Sequence, residues 1–280
     1  METLGGTAHD LDLVLGSRHA NGADFWATAD GKLGIEGPLS TVTALQLLAE
    51  LRVPSRHEAV AGAAALVLAT VGDDGRARLA PHGQILPCHT ARAAAALCGL
   101  GFADDQRVNA MLAYLAGHRY DDGGWRCNRF PYGRGPSTEF SNPGVTLLAL
   151  DALRWTDARH DSALDSAVET LLDHWTVRVP TGPCAFGIGS RFLQVEYPFL
   201  RYNLFYYVHV LSFYPKATTD ARFAEALAAL SRKLDDAGQL VVERPHRGLG
   251  ELSICRQGEA SVAATARYRE IVERVTHAAR

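Results

Sequence analysis

An Asp-Gly turn followed by a run of small and apolar residues recurs along the chain. It appears at Asp30-Gly31, Asp74-Gly75, Asp122-Gly123-Gly124-Trp125, a degenerate Phe186-Gly187, and Asp235-Asp236-Ala237-Gly238. A repeat of about 45–60 residues marks stacked helical units, because one helix pair cannot bury its own apolar face and must share it with neighbours. No segment shows the sustained alternation of a strand, so the fold class is all-α. The spacing predicts five helix pairs, 9–27 with 40–52, 57–71 with 88–100, 105–118 with 143–155, 161–176 with 197–214, and 219–233 with 259–277. The first member of a pair mixes polar and apolar residues, as a half-exposed helix does. The second, such as Val145 to Leu153, is apolar nearly all round and reads as an inner ring.

The chain of 280 residues, 47% hydrophobic, reads as one domain over 1–280 with an ample core. A formal net charge of -3 leaves no basic footprint for nucleic acid. Residues 1–10 lack a basic and apolar leader and no apolar run is long enough to span a bilayer, so the expectation is a cytoplasmic protein without a membrane span. Five widely spaced cysteines argue against a disulfide framework.

Long loops lead into each inner helix and short ones lead out, so the inner N-termini converge at one end of the ring. Unpaired N–H groups and helix dipoles there favour an anion. Four groups of candidate residues fall at that end. Cys88 and His89, with Cys127 after the Gly-Gly-Trp turn, could hold a zinc ion with one position open, or could be two small buried thiols and a capping histidine. Glu139, Glu196 and Glu259 sit at inner-helix starts, as general acids or bases or as plain N-terminal caps; Glu196, between aromatic residues, is the preferred catalytic group. Aromatic residues crowd 192–214, and on one helix Phe199, Tyr202, Tyr206 and Phe213 would share a face, lining a cavity with Trp125 and Tyr197 or filling a core. Arg126, Arg129, Arg134, Arg191 and Arg201 could clamp a diphosphate or carboxylate, or form solvated loops. His209, on the same run, reads as a hydrogen-bonded core histidine. No phosphate-binding glycine loop or nucleophile elbow is present.

The turn Asp121 to Cys127, the segment Pro136 to Glu139 and the helix after it resemble the repeat of the terpenoid cyclase and protein prenyltransferase superfamily, which includes the squalene-type cyclases. The resemblance implies an (α/α) toroid around an aromatic-lined cavity. The Asp-x-Asp-Asp acid motif is absent, since Asp10-Leu11-Asp12 lies on an outer helix, and the prenyltransferase zinc residues have no clean match. Lanthionine cyclases offer only a partial parallel, with Cys88-His89 and Trp125-Arg126-Cys127 in reversed order. Fold alone does not fix chemistry. The expectation is an enzyme that holds an apolar, isoprenoid-like substrate, with or without an anionic group, and carries out an acid/base or electrophilic cyclisation or transfer at Glu196, Glu139 and His89. The alternatives are a binding or scaffold toroid without catalysis and a carbohydrate-active α/α barrel. Five pairs close a ring or leave a horseshoe that a second copy completes as a homo-oligomer.

Overall fold

The computed structural model describes residues 5–34, 39–127, 139–181, 184 and 186–278. They form an all-helical chain, with only isolated β-bridges between turns. The outer helices are α1 (Gly5–Gly16), α3 (Glu58–Leu68), α5 (Gln106–Gly117) and α7 (Asp165–Val177); the inner ones are α2 (Thr41–Glu50), α4 (Pro87–Gly99), α6 (Pro143–Leu153) and α8 (Leu204–Leu211). A short α9 (Pro215–Thr218) leads to the last pair, α10 (Ala221–Ser231) and α11 (Val262–Ala278). Asp105 and Asp220 cap outer helices α5 and α10, while Ser40, Asn142 and Asn203 cap inner ones. Pro87 and Pro143 occupy first helical positions, where a missing N–H costs nothing.

The recurring turns are locked by one device. In three repeats the fourth residue of the inner helix is a threonine whose hydroxyl accepts the backbone N–H just past the Asp-Gly turn. The pairs are Ala77 to Thr90 at 3.0 Å, Trp125 to Thr146 at 3.1 Å and Leu240 to Thr265 at 2.9 Å. Buried N–H groups need such a partner. The turn glycines Gly31, Gly75, Gly123 and Gly238 have φ of 79°, 75°, 93° and 70°, a backbone only glycine adopts freely. At Gly75 and Gly123 a side chain would also strike the backbone of the neighbouring outer helix.

Inner helices pack in sequence, α2 on α4, α4 on α6, α6 on α8 and α8 on α11. The ring returns to its start through ion pairs, Arg267 to Glu50 at 2.9 Å and Arg52 to Glu270 at 2.9 Å. A space of about 100 Å³ at the other end of the ring is lined by Glu50, Ala96, Asp151, His209 and Arg267, one from each of the five inner helices. The chain therefore closes a toroid by itself. A second fastening lies outside the ring. Asp10 on α1, fully buried, accepts from Ser253 N (2.6 Å), Ser253 Oγ (2.8 Å) and Ile254 N (3.1 Å).

Two expected helices are shorter than the spacing suggested. The first ends at Gly16 rather than 27, and Phe25 and Trp26 take left-handed backbone. The inner helix expected over 197–214 begins at Leu204. Pro198 disfavours helix at the residue before it, and Asn203 caps the helix that follows, accepting from Tyr206 N. Phe199 and Tyr202 therefore lie on a non-helical segment and share no helix face with Tyr206 and Phe213.

Candidate active site

At the N-terminal end of the inner helices a cavity of about 560 Å³ opens between α4, α6, α8 and the two long loops that follow α7 and α10. Its walls combine apolar side chains, Leu148, Phe186, Phe192 and Leu200, with two phenols, Tyr202 and Tyr206. Four guanidinium groups, Arg92, Arg191, Arg201 and Arg244, face one carboxylate, Glu196. Arg92 stands alone on an otherwise small-residue helix and reaches the Leu200 carbonyl at 3.4 Å. Arg244 is positioned by its loop, because the N–H groups of Glu243 and Arg244 both donate to Val195 O and the Glu243 carboxylate accepts from Val195 N. That pairing sets the loop holding Glu196 against the loop holding Arg244.

Glu196 is 2% exposed. Its Oε1 lies 3.5 Å from Arg201 Nε, an ion-pair distance, and has no hydrogen-bond partner among the described residues. Burial raises its carboxyl above the ordinary range, and Arg201 and Arg244 only partly offset this. A buried acid with an unused oxygen beside cations can carry or accept a proton within the cavity. Tyr206, the other polar group on the wall, donates to Asp151 Oδ2 at 2.7 Å, and Tyr202 OH meets His174 Nδ1 at 2.8 Å.

The bore of the ring is filled rather than open. The segment Glu196 to Tyr202, which includes the cis Tyr197-Pro198 bond, lies between the two end cavities: Pro198 and Phe199 line the small one, and Leu200, Arg201 and Tyr202 the large one. Phe199 stacks on Tyr206 and His209, with centroids 5.4 and 4.6 Å away, and packs edge-on against Phe205. Tyr197 is buried and donates to Glu50 Oε2 at 2.6 Å, the carboxylate oxygen that also pairs with Arg267.

The structure thus brings Glu196, Arg191, Arg201, Tyr202 and Tyr206 into one cavity and separates the other candidates from it. Trp125 is a core residue, its Nε1 donating to Leu115 O at 3.0 Å, and Tyr197 belongs to the plug. Glu139 and Glu259 are exposed and line neither end cavity; the cap of α6 is Asn142, and Ser141 before it is held by Asp122 of the Gly-Gly-Trp turn. His89 also lies outside the cavity lining; burial, with Arg92 nearby, lowers its imidazole to about 4, so it is neutral. Arg129, Arg134 and the Pro136 to Thr138 part of the motif lie outside the described residues. His209 is buried, as expected of a core histidine, and its Nδ1 has no hydrogen-bond partner among the described residues. Burial, with Arg154, Arg267 and Arg274 nearby, lowers its imidazole well below the usual value. Arg92 and Arg244 escaped the sequence reading. A lone arginine within Thr90 to Cys98 was the available signal for the first; none marked the second.

The expected metal ligands are only partly together. Burial, with Cys127 next in weight, raises the Cys88 thiol to about 11, and the third thiol near them is Cys184. Among the described residues no group of three His, Cys, Asp or Glu side chains is placed to hold a metal ion. No helix among the described residues is long and apolar enough to cross a membrane.

Fold and site together define an (α/α) toroid with an arginine-lined cavity at its N-terminal face. Solved structures that match the chain include a protein from Actinoplanes, 14% identical, with a TM-score of 0.37 over 98% of this chain and 100% of that one. A variant of the type II terpene cyclase MstE from Scytonema, solved with its substrate geranylgeranyl dihydroxybenzoate, is 16% identical with a TM-score of 0.37 over 99% and 98% of the two chains. A second variant with the same substrate is 15% identical with a TM-score of 0.38 over 98% and 97%. At such values these proteins bear on no individual residue here. No protein-family model and no curated protein matches the chain.

Proposed function

We propose that this protein is an enzyme for a largely apolar, isoprenoid-like molecule that bears an anionic group, and that it carries out a cyclisation or transfer with Glu196 as general acid or base. The observation that carries the reading is the buried Glu196 carboxyl, its Oε1 without a hydrogen bond among the described residues, facing a cavity with four arginines and an apolar wall. Guanidinium groups bind carboxylate and phosphate oxygens through paired N–H donors, so the anionic end belongs at Arg92, Arg191, Arg201 and Arg244. The apolar portion then lies along Leu148, Phe186 and Phe192. With its carboxyl raised by burial, Glu196 retains a proton above the usual carboxylate range and can deliver it to a double bond or a leaving oxygen.

The test is turnover of farnesyl and geranylgeranyl diphosphates and of a prenylated benzoate, with products followed by mass spectrometry, beside Glu196→Gln and Arg201→Ala. The expected result is product formation lost in Glu196→Gln with binding retained, and weakened binding in Arg201→Ala. Unchanged turnover in Glu196→Gln would remove that residue from the chemistry. The filled bore favours a second reading, a toroid that binds such molecules without transforming them; tight binding of all three with no product would select it.

A further inference from the structure

Cys127 and Cys184 are 57 residues apart in sequence, yet their sulfur atoms lie 3.7 Å from one another. The two sit in unlike surroundings. Cys127 is buried at the end of the Gly-Gly-Trp turn, where the Trp125 N–H is held by Thr146, while Cys184 is exposed. Cys184 belongs to a strap closed by the Thr181–Phe186 bridge, in which Thr181 N donates to Phe186 O at 2.9 Å and Ile188 N donates to Arg178 O at 2.9 Å. The strap forms part of the large cavity: Phe186 and Gly187 line it, and Phe186 packs edge-on against Tyr202 at 5.4 Å. The Phe186 ring also rests on the first turn of α6 at Gly144, where a methyl group would come within 2.6 Å of it.

We propose that Cys127 and Cys184 form an oxidation site, a reversible disulfide that ties the Phe186 strap to the rigid Gly-Gly-Trp turn and fixes one wall of the cavity. The exposed thiol is the point of attack for a small disulfide such as oxidised glutathione. The Cys184 thiolate attacks one glutathione sulfur, forming a mixed disulfide and releasing one glutathione thiolate. Cys127, giving up its proton, then attacks Cys184 Sγ and expels the second glutathione. Two cysteine thiols are oxidised to one disulfide, and one glutathione disulfide is reduced to two thiols. The inference does not depend on the proposed reaction.

The test is equilibration of the intact protein with oxidised and reduced glutathione at set ratios, followed by thiol titration after unfolding, peptide mapping and amide hydrogen exchange. Oxidation is expected to remove two of the five thiols and to yield a Cys127–Cys184 peptide pair. Exchange at Thr181 and Ile188 should slow about tenfold, since both amides close the strap. Cys184→Ser, an exposed substitution, should keep all its thiols under the same treatment, whereas Cys88→Ser should still lose two. Retention of all five thiols, glutathione remaining on Cys184, a bond to Cys88, or a zinc ion bound per chain and lost in Cys184→Ser would each overturn the proposal. A disulfide that forms without slowing the strap amides would overturn its effect on the cavity wall.

Discussion

Replacing Asp10 with alanine removes the fastening between α1 and the turn at Ser253–Cys255. The carboxylate accepts three hydrogen bonds, two from backbone N–H groups that sit against it in the interior. The variant leaves Ser253 N and Ile254 N without their partner. An orphaned buried donor costs about 1–3 kcal/mol, and the two together about 2–5 kcal/mol once partial rehydration is allowed for. Unfolding entropy near the melting temperature is about 2.1 cal/mol/K per residue, or about 0.6 kcal/mol/K for a chain of 280 residues. The expected fall in melting temperature is therefore about 3–8 °C by calorimetry. Asp10→Asn keeps one carbonyl acceptor and should lose about half as much. Ser253→Ala removes the hydroxyl bond to Asp10, and the part of its cost due to that bond should vanish in the Asp10→Ala background. A melting temperature within about 1 °C of the parent for Asp10→Ala would refute the assignment of this carboxylate to closing the structure.

Three further outcomes follow from the same geometry. Thr146→Val should destabilise by about 1–3 kcal/mol in denaturant melts by leaving the Trp125 N–H unpaired, while Thr146→Ser should be close to neutral. Glu196 has its folded-state acidity weakened by burial, so the stability it contributes below its ordinary value of 4.5 is lost as pH rises through the higher folded value. Glu196→Gln should therefore melt progressively higher relative to the parent as pH is raised from about 4 to 8, and a difference independent of pH would contradict the burial argument. Gly144→Ala should push Phe186 off the α6 N-terminus, cost about 1–3 kcal/mol of stability and weaken inorganic pyrophosphate binding by calorimetric titration; unaltered binding would separate the strap from the site.

The helical ring was legible because its determinants are local and repeated. Asp-Gly turns, the Asn142 cap, the Pro143 start and the all-apolar Val145 to Leu153 run each agree with the same placement, and α2, α3, α5, α6, α8 and α10 fall inside the expected ranges while α1, α4, α7 and α11 overlap theirs and run past one end. The filled bore was not legible in the same way. The aromatic spacing of residues 199–213 fits a helix equally well, and only Pro198 and Asn203 argue for a break before Leu204. Trp125 stood out in the most recognisable motif, yet that motif fastens a turn to a helix through Thr146 rather than facing a ligand. Site residues such as Arg92 and Arg244 come from the second and fifth pairs and meet only when the ring closes, so no window of sequence contains their relation. Glu196 was found because a carboxylate among aromatic residues is costly without a purpose.

The plug in the bore gives the molecule the topology of a cup. Anything held above it rests on a floor of stacked aromatic rings rather than over a passage through the ring. The floor of that cup is anchored from beneath, since Tyr197 is bonded to Glu50, while Tyr206, against which Phe199 stacks, is bonded to Asp151. Changes among the charges around Glu50 and Asp151 would then alter the depth available at the arginine-lined end without touching whatever is bound there.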